Sequence, residues 1–183
     1  DTTEALSLHM LGMHGTAFAN YAVVDCDFLI SVGARFDDRV AGVPKLFAQK
    51  AKYIAQFDID PAEIDKVKRV DWHHLGDISK ALDALREHAA VHGFDPRGQG
   101  RYAAWHAHIA GLKKTHALDF DRKSELIQPY AVIEEINRLT RGEAIICTGV
   151  GQHQMWAAQY FDFTAPRRWL TSGSMGTMGF GLP

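Results

Sequence analysis

The amino-acid sequence predicts an α/β fold with doubly wound parallel sheets, in parts of two successive three-layer α/β/α domains. Short apolar runs of strand length alternate with segments of helical periodicity over residues 1–90, and the alternation resumes after residue 126. In the first half these runs end at glycine or aspartate, as expected of parallel strands whose carboxyl ends carry ligand-binding loops. With 183 residues, 46% of them hydrophobic, the chain is long enough to bury a substantial core.

The first ninety residues contain three predicted strands with helices between them. Small and apolar residues at 16–24 predict a helix, and the apolar run at 28–32 predicts a strand covered on both faces. A second strand is predicted at 52–57. Pro61 then begins a helix that extends to residue 68, with Asp60 as its cap and Glu63 as the partner in a capping box. A strand near 70–75 and an amphipathic helix at 78–90 complete this half.

The composition changes after residue 90. Glycine, proline and polar residues at 91–101 are typical of a linker, and a helix at 102–116 and a charged stretch at 118–125 follow. The second α/β unit has a helix from Pro129 to residue 139, a strand at 143–147, a turn at 149–151, a helix at 152–161 and a strand at 168–170. We therefore divide the chain into 1–90, a linker with a helix at 91–125, and 126–183. The Gly-rich segment 172–183 completes no element, so we expect a longer protein.

Composition limits the classes of partner. A net charge of -2 provides no long-range field for a polyanion, which argues against nucleic acid. The longest apolar run falls far short of the ~20 residues that cross a bilayer, which argues against a membrane protein. Cys26 and Cys147 lie in apolar contexts and are interpreted as buried, reduced thiols, which favours a cytoplasmic location.

Histidine spacing does not predict a metal site. The sequence has ten histidines, but His73 with His74 and His106 with His108 lack the i, i+4 spacing that places two imidazoles on one helix face. A Gly-x-Ser-x-Gly nucleophile motif is also absent. We therefore assign no metal ligand and no catalytic residue with certainty.

Residues suited to a nucleotide follow three predicted strands. Gly33 permits close approach of a ligand, and Arg35 could donate two hydrogen bonds to a phosphate. Asp58 and Asp77 could accept ribose hydroxyls at the same sheet edge. An alternative is that Arg35 and its neighbouring aspartates pair with each other in a charged loop. His14 precedes a helix whose amino terminus favours an anion, and its alternative is a buried, hydrogen-bonded histidine.

Five motifs then occur in one order along nearly the whole chain. They are Leu-Gly-Met-His-Gly-Thr at 11–16, Val-Gly-Ala-Arg-Phe-Asp-Asp-Arg-Val at 32–40, Asp-Ile-Asp-Pro-Ala-Glu-Ile at 58–64, Thr-Gly-Val-Gly-Gln-His-Gln-Met-Trp-Ala-Ala-Gln at 148–159 and Gly-Thr-Met-Gly-Phe-Gly-Leu-Pro at 176–183. The first three resemble the central flavin domain of the acetolactate synthase (acetohydroxyacid synthase) large subunits. The last two resemble the start of that family's thiamine diphosphate domain. Ser174 and Met175 depart from the commoner Gly-Leu, and residues 102–125 match loosely.

The resemblance implies a thiamine diphosphate-dependent transferase. It would decarboxylate pyruvate and condense the remainder with pyruvate or 2-ketobutanoate, giving 2-acetolactate or 2-aceto-2-hydroxybutanoate for valine, leucine and isoleucine synthesis. The implied cofactors are thiamine diphosphate, FAD without net redox, and Mg²⁺, whose ligands would lie beyond Pro183, while the activating glutamate would lie upstream. The implied partners are 2-ketoacids, further large subunits in a homodimer or tetramer, and a small regulatory subunit.

The same match assigns candidate site residues. Those for FAD are Met13, His14, Gly15, Gly33, Arg35, Asp58, Ile59 and Asp77. Those for thiamine diphosphate are Gly151, Gln152, His153, Gly176 and Met178, although Met178 could instead be a core residue. Trp156 would shape the pocket for the second ketoacid, and Arg39, oriented by Asp38, would bind its carboxylate.

Two other functions remain open. Glyoxylate carboligase, or another FAD-containing thiamine diphosphate enzyme, shares the domain order and the flavin. A non-catalytic nucleotide-binding module would retain the sheet without the chemistry. The preference for the second ketoacid, and feedback inhibition, are not determined by these residues.

Overall fold

The computed structural model describes residues 1–95 and 100–182. Its elements, in chain order, are α1 (Ala17–Asp25), β1 (Phe28–Val32), α2 (Asp38–Ala41), β2 (Tyr53–Asp58), a 3-10 turn (Pro61–Glu63), β3 (Trp72–Leu75), α3 (Ile78–Val91), α4 (Ala103–Thr115), α5 (Pro129–Thr140), β4 (Ile146–Thr148), α6 (Gln152–Tyr160) and β5 (Trp169–Thr171). They form two compact units: Asp1–Asn20 with His116–Pro183, called unit 1, and Tyr21–Thr115, called unit 2. Both units contain parallel strands with intervening helices, which confirms the predicted α/β class.

The sheet of unit 2 has the order β1-β2-β3. Its central strand, β2, is buried from residue 54 to residue 58. The prediction that β1 is covered on both faces is wrong, because Phe28, Ile30 and Val32 are about half exposed. Successive strand residues point to opposite faces, and only the face that carries Ser31 is packed in this unit.

The helix predicted at 61–68 is replaced by a single 3-10 turn, Pro61–Glu63. Asp60 caps this turn as predicted, since its Oδ1 accepts a hydrogen bond from the backbone N–H of residue 62 at 2.9 Å. The capping box is wrong: the Glu63 carboxylate pairs with Lys66 Nζ at 2.7 Å instead of returning to the cap. Ile64 follows as the C-cap in an extended conformation, with a φ of -73° and a ψ of 132°, which ends helical geometry.

The sheet of unit 1 contains β4 and β5, which are parallel with Ile146 opposite Trp169. Pro129 occupies the first turn of α5 as predicted, and Arg141 ends that helix in the left-handed conformation. Cys26, in unit 2, is buried as predicted, but Cys147 on β4 is exposed. That part of the prediction fails because a two-stranded sheet in this unit leaves a face of β4 uncovered.

The other predicted helices all form with ends that agree within one or two residues. In the predicted linker, residues 96–99 lie outside the described part of the chain. The division at 91–125 stays a prediction. Within residues 1–95 and 100–182, no helix is both long and apolar enough to cross a membrane.

Candidate cofactor-binding site

A glycine-lined turn in unit 1 carries the first predicted thiamine diphosphate segment. β4 ends at Thr148, and α6 begins at Gln152 with Gly151 as its N-cap. The His153 ring lies against this turn, with its Nδ1 3.2 Å from where a Cβ on Gly151 would be and its Nε2 3.4 Å from the corresponding position on Gly149. The turn therefore presents backbone and one imidazole, with little room for further side chains.

The second predicted thiamine diphosphate segment returns to the same turn. A Cβ on Gly181 would lie 2.4 Å from the backbone nitrogen of Gly149, so only glycine allows this approach. A Cβ on Gly176 would lie 3.9 Å from Val150 Cγ1. The structure thus brings residues 149–151 and 176–181 together. Met178 is 76% exposed in this segment and is not a core residue of unit 1.

The loop before α1 carries Met13, His14 and Gly15. A Cβ on Gly15 would lie 2.1 Å from the carbonyl oxygen of Met10, so the loop closes only with glycine there. Asn20 fixes the loop from α1 through two 3.0 Å hydrogen bonds, one to the N–H and one to the carbonyl of residue 12. Met13 is exposed on this loop.

The alternative interpretation of His14, a buried and hydrogen-bonded histidine, is met only in part. It forms a hydrogen bond, 3.1 Å from Nε2 to Gln154 Oε1, but it is only partly buried. Gln154 is not among the predicted site residues, and it is buried, with 2% of its surface exposed. The sequence signal for Gln154 is its place in the Gln-His-Gln-Met-Trp segment at 152–156.

The three strand ends of unit 2 lie side by side. The N–H of Gly33 donates to the carbonyl of Phe57 at 2.8 Å, and the N–H of Gly76 donates to the carbonyl of Asp58 at 2.9 Å. Gly33 has a φ of +65°, and a Cβ there would lie 2.8 Å from Ile78 Cδ1. The positive φ favours glycine at position 33, whereas the end of the Ile78 side chain could shift to accept a Cβ.

The carboxylates at this edge hold the local backbone. Asp58 is buried, and its Oδ1 accepts the N–H of Asp60 at 3.0 Å. Asp77 caps α3, since its Oδ1 accepts the N–H of Lys80 at 3.1 Å. Ile59 is exposed between the second and third strands. Each carboxylate has further lone pairs with which it could accept a ligand hydroxyl.

The charged loop of unit 2 contains the internal pairs proposed as the alternative to ligand binding. Arg35 Nη2 lies 2.7 Å from Asp37 Oδ2, and Arg39 Nη1 lies 2.8 Å from Asp38 Oδ2. Both pairs are substantially exposed, with Arg39 at 52% and Arg35 at 47%. Such pairs contribute about 0–1 kcal/mol to stability, so an anionic ligand could replace the aspartate.

Trp156 lies in an aromatic cluster of unit 1, defined by Phe120, Tyr130, Trp156 and Tyr160. The rings of Tyr130 and Tyr160 are 4.8 Å apart, and Phe120 packs against both tyrosines. Burial raises the pKa of Tyr160 above its ordinary value. Trp156 extends from the cluster and is half-buried.

The described residues contain no group of three or more His, Cys, Asp or Glu side chains placed to share a metal ion.

Comparison with known proteins gives two matches to family models. Residues 1–85 match the thiamine pyrophosphate enzyme central domain, and residues 149–183 match the C-terminal thiamine pyrophosphate-binding domain. The chain belongs to the thiamine pyrophosphate enzymes.

Named relatives within this family are acetolactate synthases. The chain is 47% identical to acetolactate synthase 1, chloroplastic, of Zea mays over 98% of its own length and 28% of that protein. It is 47% identical to acetolactate synthase 1, chloroplastic, of Nicotiana tabacum over 100% of its length and 27% of that protein. It is 46% identical to acetolactate synthase, chloroplastic, of Arabidopsis thaliana over 98% and 26% respectively.

These matches confirm the resemblance that the motifs indicate. The chain spans little more than a quarter of the length of these relatives. Residues 149–153 and 176–181 lie in the region of the binding-domain match. His14 and the strand ends of unit 2 lie in the region of the central-domain match.

Proposed function

We propose that the chain is part of an acetolactate synthase large subunit, which condenses two 2-ketoacids. The observation that carries the proposal is the packing of Gly181 against Gly149, because it unites the two predicted thiamine diphosphate segments. The reaction releases carbon dioxide from pyruvate and joins the two-carbon remainder to pyruvate or 2-ketobutanoate. The products would supply valine, leucine and isoleucine synthesis.

The turn of unit 1 is suited to thiamine diphosphate. Its glycines expose backbone at a strand-to-helix junction, where a side chain at 181 or 151 would fill the space. Gly151, Gln152 and His153 would contact the cofactor from this turn, and the backbone of Gly176 and the side chain of Met178 would hold its aminopyrimidine. When bound, the cofactor supplies the electron sink for decarboxylation.

FAD is the second cofactor of the proposal. In unit 2, the open backbone at Gly33 and the strand-end carboxylates of Asp58 and Asp77 suit a dinucleotide, with Ile59 beside them. Arg35 would exchange its exposed aspartate partner for the flavin diphosphate. The family resemblance also assigns Met13, His14 and Gly15, which lie in unit 1, to FAD. Because the reaction involves no net redox, the flavin would have a structural role, in folding and assembly, and would not transfer electrons.

The second ketoacid would be recognised by charge and by shape. Arg39 is exposed and paired only with a neighbouring aspartate in the contacts described, so a substrate carboxylate could take that place while Asp38 orients the guanidinium. Trp156 would form an apolar surface of the pocket and contact the side chain of the ketoacid. The two roles predict separable effects on carboxylate affinity and on ketoacid preference.

We further propose Mg²⁺ as a cofactor, with no ligand assigned among residues 1–95 and 100–182. The family resemblance supports a homodimer or tetramer of large subunits with a small regulatory subunit, which light scattering of the purified complex would test. A cytoplasmic location rests on the composition of the chain, and subcellular fractionation would test it.

The experiment is a colorimetric acetoin assay on the complete enzyme that contains these residues. Pyruvate, FAD, thiamine diphosphate and Mg²⁺ should yield acetolactate, which acid converts to acetoin. Tartronate semialdehyde formed from glyoxylate would select the carboligase instead. Binding of FAD with no turnover of either substrate would select the non-catalytic module.

A further inference from the structure

A partly buried chain of polar side chains crosses unit 1 from the loop of His14 to the end of β4. Gln154 is at its centre: its Oε1 lies 3.1 Å from His14 Nε2, and its Nε2 donates to Thr171 Oγ1 at 2.6 Å. Thr171 Oγ1 lies 2.6 Å from Thr148 Oγ1. Thr148, itself buried, is the last residue before the turn at 149–151.

The hydrogen-bonding capacity of each group gives this chain a direction. The amide oxygen of Gln154 can only accept, so His14 must donate from Nε2–H. The amide nitrogen of Gln154 can only donate, so Thr171 accepts with its hydroxyl oxygen. The orientation of His14 is thereby linked to the rotamers of two threonines on neighbouring strands, β4 and β5.

Gln154 has no assigned contact with a cofactor or substrate, yet it is a buried amide. Replacement of all members of the network by apolar side chains could cost little stability, whereas loss of Gln154 alone leaves the partner atoms of His14 and Thr171 without this hydrogen bond. Fully satisfied buried networks of this kind specify a unique geometry. Gln159, five residues later on α6, also contacts the loop, donating to the carbonyl of Gly15 at 3.0 Å, but in the described contacts it does not reach the threonines.

We propose that Gln154 is a positioning residue that couples FAD binding to thiamine diphosphate binding. The inference rests on the proposed function, since it takes His14 as a flavin contact and the turn at 149–153 as a thiamine diphosphate contact. Ordering of the His14 ring by FAD would favour the Gln154 and Thr171 rotamers that hold the turn. By linkage, thiamine diphosphate would tighten FAD binding by the same factor.

The test is a thermodynamic cycle on the complete enzyme, stripped of all cofactors. Calorimetric titration gives the thiamine diphosphate dissociation constant at saturating Mg²⁺, with and without saturating FAD. In the wild type we expect FAD to tighten binding about tenfold, within the usual range of coupling between sites. In Gln154→Met the factor should fall below about twofold, since the link is removed while the volume is kept.

Gln159→Met is the matched control, because it loses a contact to the same loop from the same helix. Its coupling factor should stay at the wild-type value. Thr171→Val breaks the chain at the next position and should also abolish the coupling, so it decides the question if Gln154→Met does not fold.

Two outcomes would overturn the inference. In the first, FAD tightens thiamine diphosphate binding by the wild-type factor in Gln154→Met or in Thr171→Val. In the second, the wild-type enzyme binds both cofactors, but FAD does not change the affinity for thiamine diphosphate. If the wild type bound neither cofactor, the proposed function itself would fail.

Discussion

The ring of Tyr130 meets the indole of Trp156 edge to face, with centroids 5.8 Å apart and planes at 78°. Tyr130 lies in the first turn of α5, and Trp156 lies near the middle of α6. Such pairs contribute about 0.5–1.5 kcal/mol beyond the area they bury. The contact therefore favours one orientation of the indole, which suits the proposed role of Trp156 in the second-ketoacid pocket.

Replacement of this indole should change substrate preference. In the complete enzyme, Trp156→Leu should alter the ratio of 2-ketobutanoate to pyruvate condensation about tenfold, the scale of a small volume change in an apolar pocket. Competition experiments with both ketoacids measure the ratio. Trp105→Leu, in α4, is the control and should leave it unchanged. An unaltered product ratio in Trp156→Leu would remove that residue from the pocket.

The Arg39 guanidinium should act through the substrate carboxylate. Arg39→Lys keeps the charge but loses the forked geometry, so the KM for the second ketoacid should rise more than kcat falls. Steady-state kinetics with each ketoacid separate the two parameters. Arg138→Lys, in an exposed pair with Glu135 on α5, should leave both unchanged. Equal kinetics in the two variants would contradict the assignment.

The close approach of Gly181 to the turn should tolerate no side chain. Gly181→Ala places a methyl group against backbone, which must move, so we expect a loss of about 1–3 kcal/mol in unfolding free energy and weaker thiamine diphosphate binding. Urea unfolding and calorimetry measure the two effects. Gly173→Ala has no described heavy atom within 4 Å of the new Cβ and serves as the control. Similar results for both variants would argue against the packing.

Asp25 should make stability depend on acid pH. The hydrogen bond from Lys50 at 2.7 Å chiefly lowers the pKa of this carboxyl from its ordinary value of 3.8, and His108 contributes a second bond at 3.0 Å. Because the folded pKa is depressed, the stabilisation is present above the ordinary value and is lost as pH falls through the folded pKa. Asp25→Asn should lower Tm at neutral pH, and its difference from wild type should shrink below pH 3.8. A difference independent of pH would exclude the carboxylate charge as the cause; Asp83→Asn is the exposed control.

The two thiols should differ in reactivity. Burial raises the pKa of Cys26, with the neighbouring Asp27 adding to the effect, whereas Cys147 is exposed. The 183-residue chain with Cys147→Ser should therefore react with iodoacetamide several-fold more slowly than the chain with Cys26→Ser, because the thiolate is the nucleophile. Mass spectrometry of timed samples gives both rates. Equal rates would show that Cys26 is accessible in solution.

Local patterns were sufficient for most elements. The apolar run at 28–32 defines β1, and the helical spacing at 78–90 defines α3, because each pattern lies within one element. The failure at 61–68 has a local cause that composition does not reveal. Ile64 adopts an extended conformation directly after Glu63, so the helix stops after one turn.

The exposure of a strand depends on what packs over it. The sequence predicts that β1 and Cys147 are buried because their residues are apolar. Burial, however, is decided by elements distant along the chain, and one face of β1 and one face of β4 lack such cover. Periodicity therefore determines which residues share a face, but it does not determine whether that face is covered.

The candidate site divides in the same way. The sequence alone determined the family and the motifs that carry it, because motif order and residue identity are local properties. Only the tertiary structure decided that Gly181 lies against Gly149 and that His14 reaches Gln154, 140 residues further along the chain. Contacts of this kind depend on how strands and helices pack, and the hydrogen bonds form only when packing brings donor and acceptor within about 3 Å.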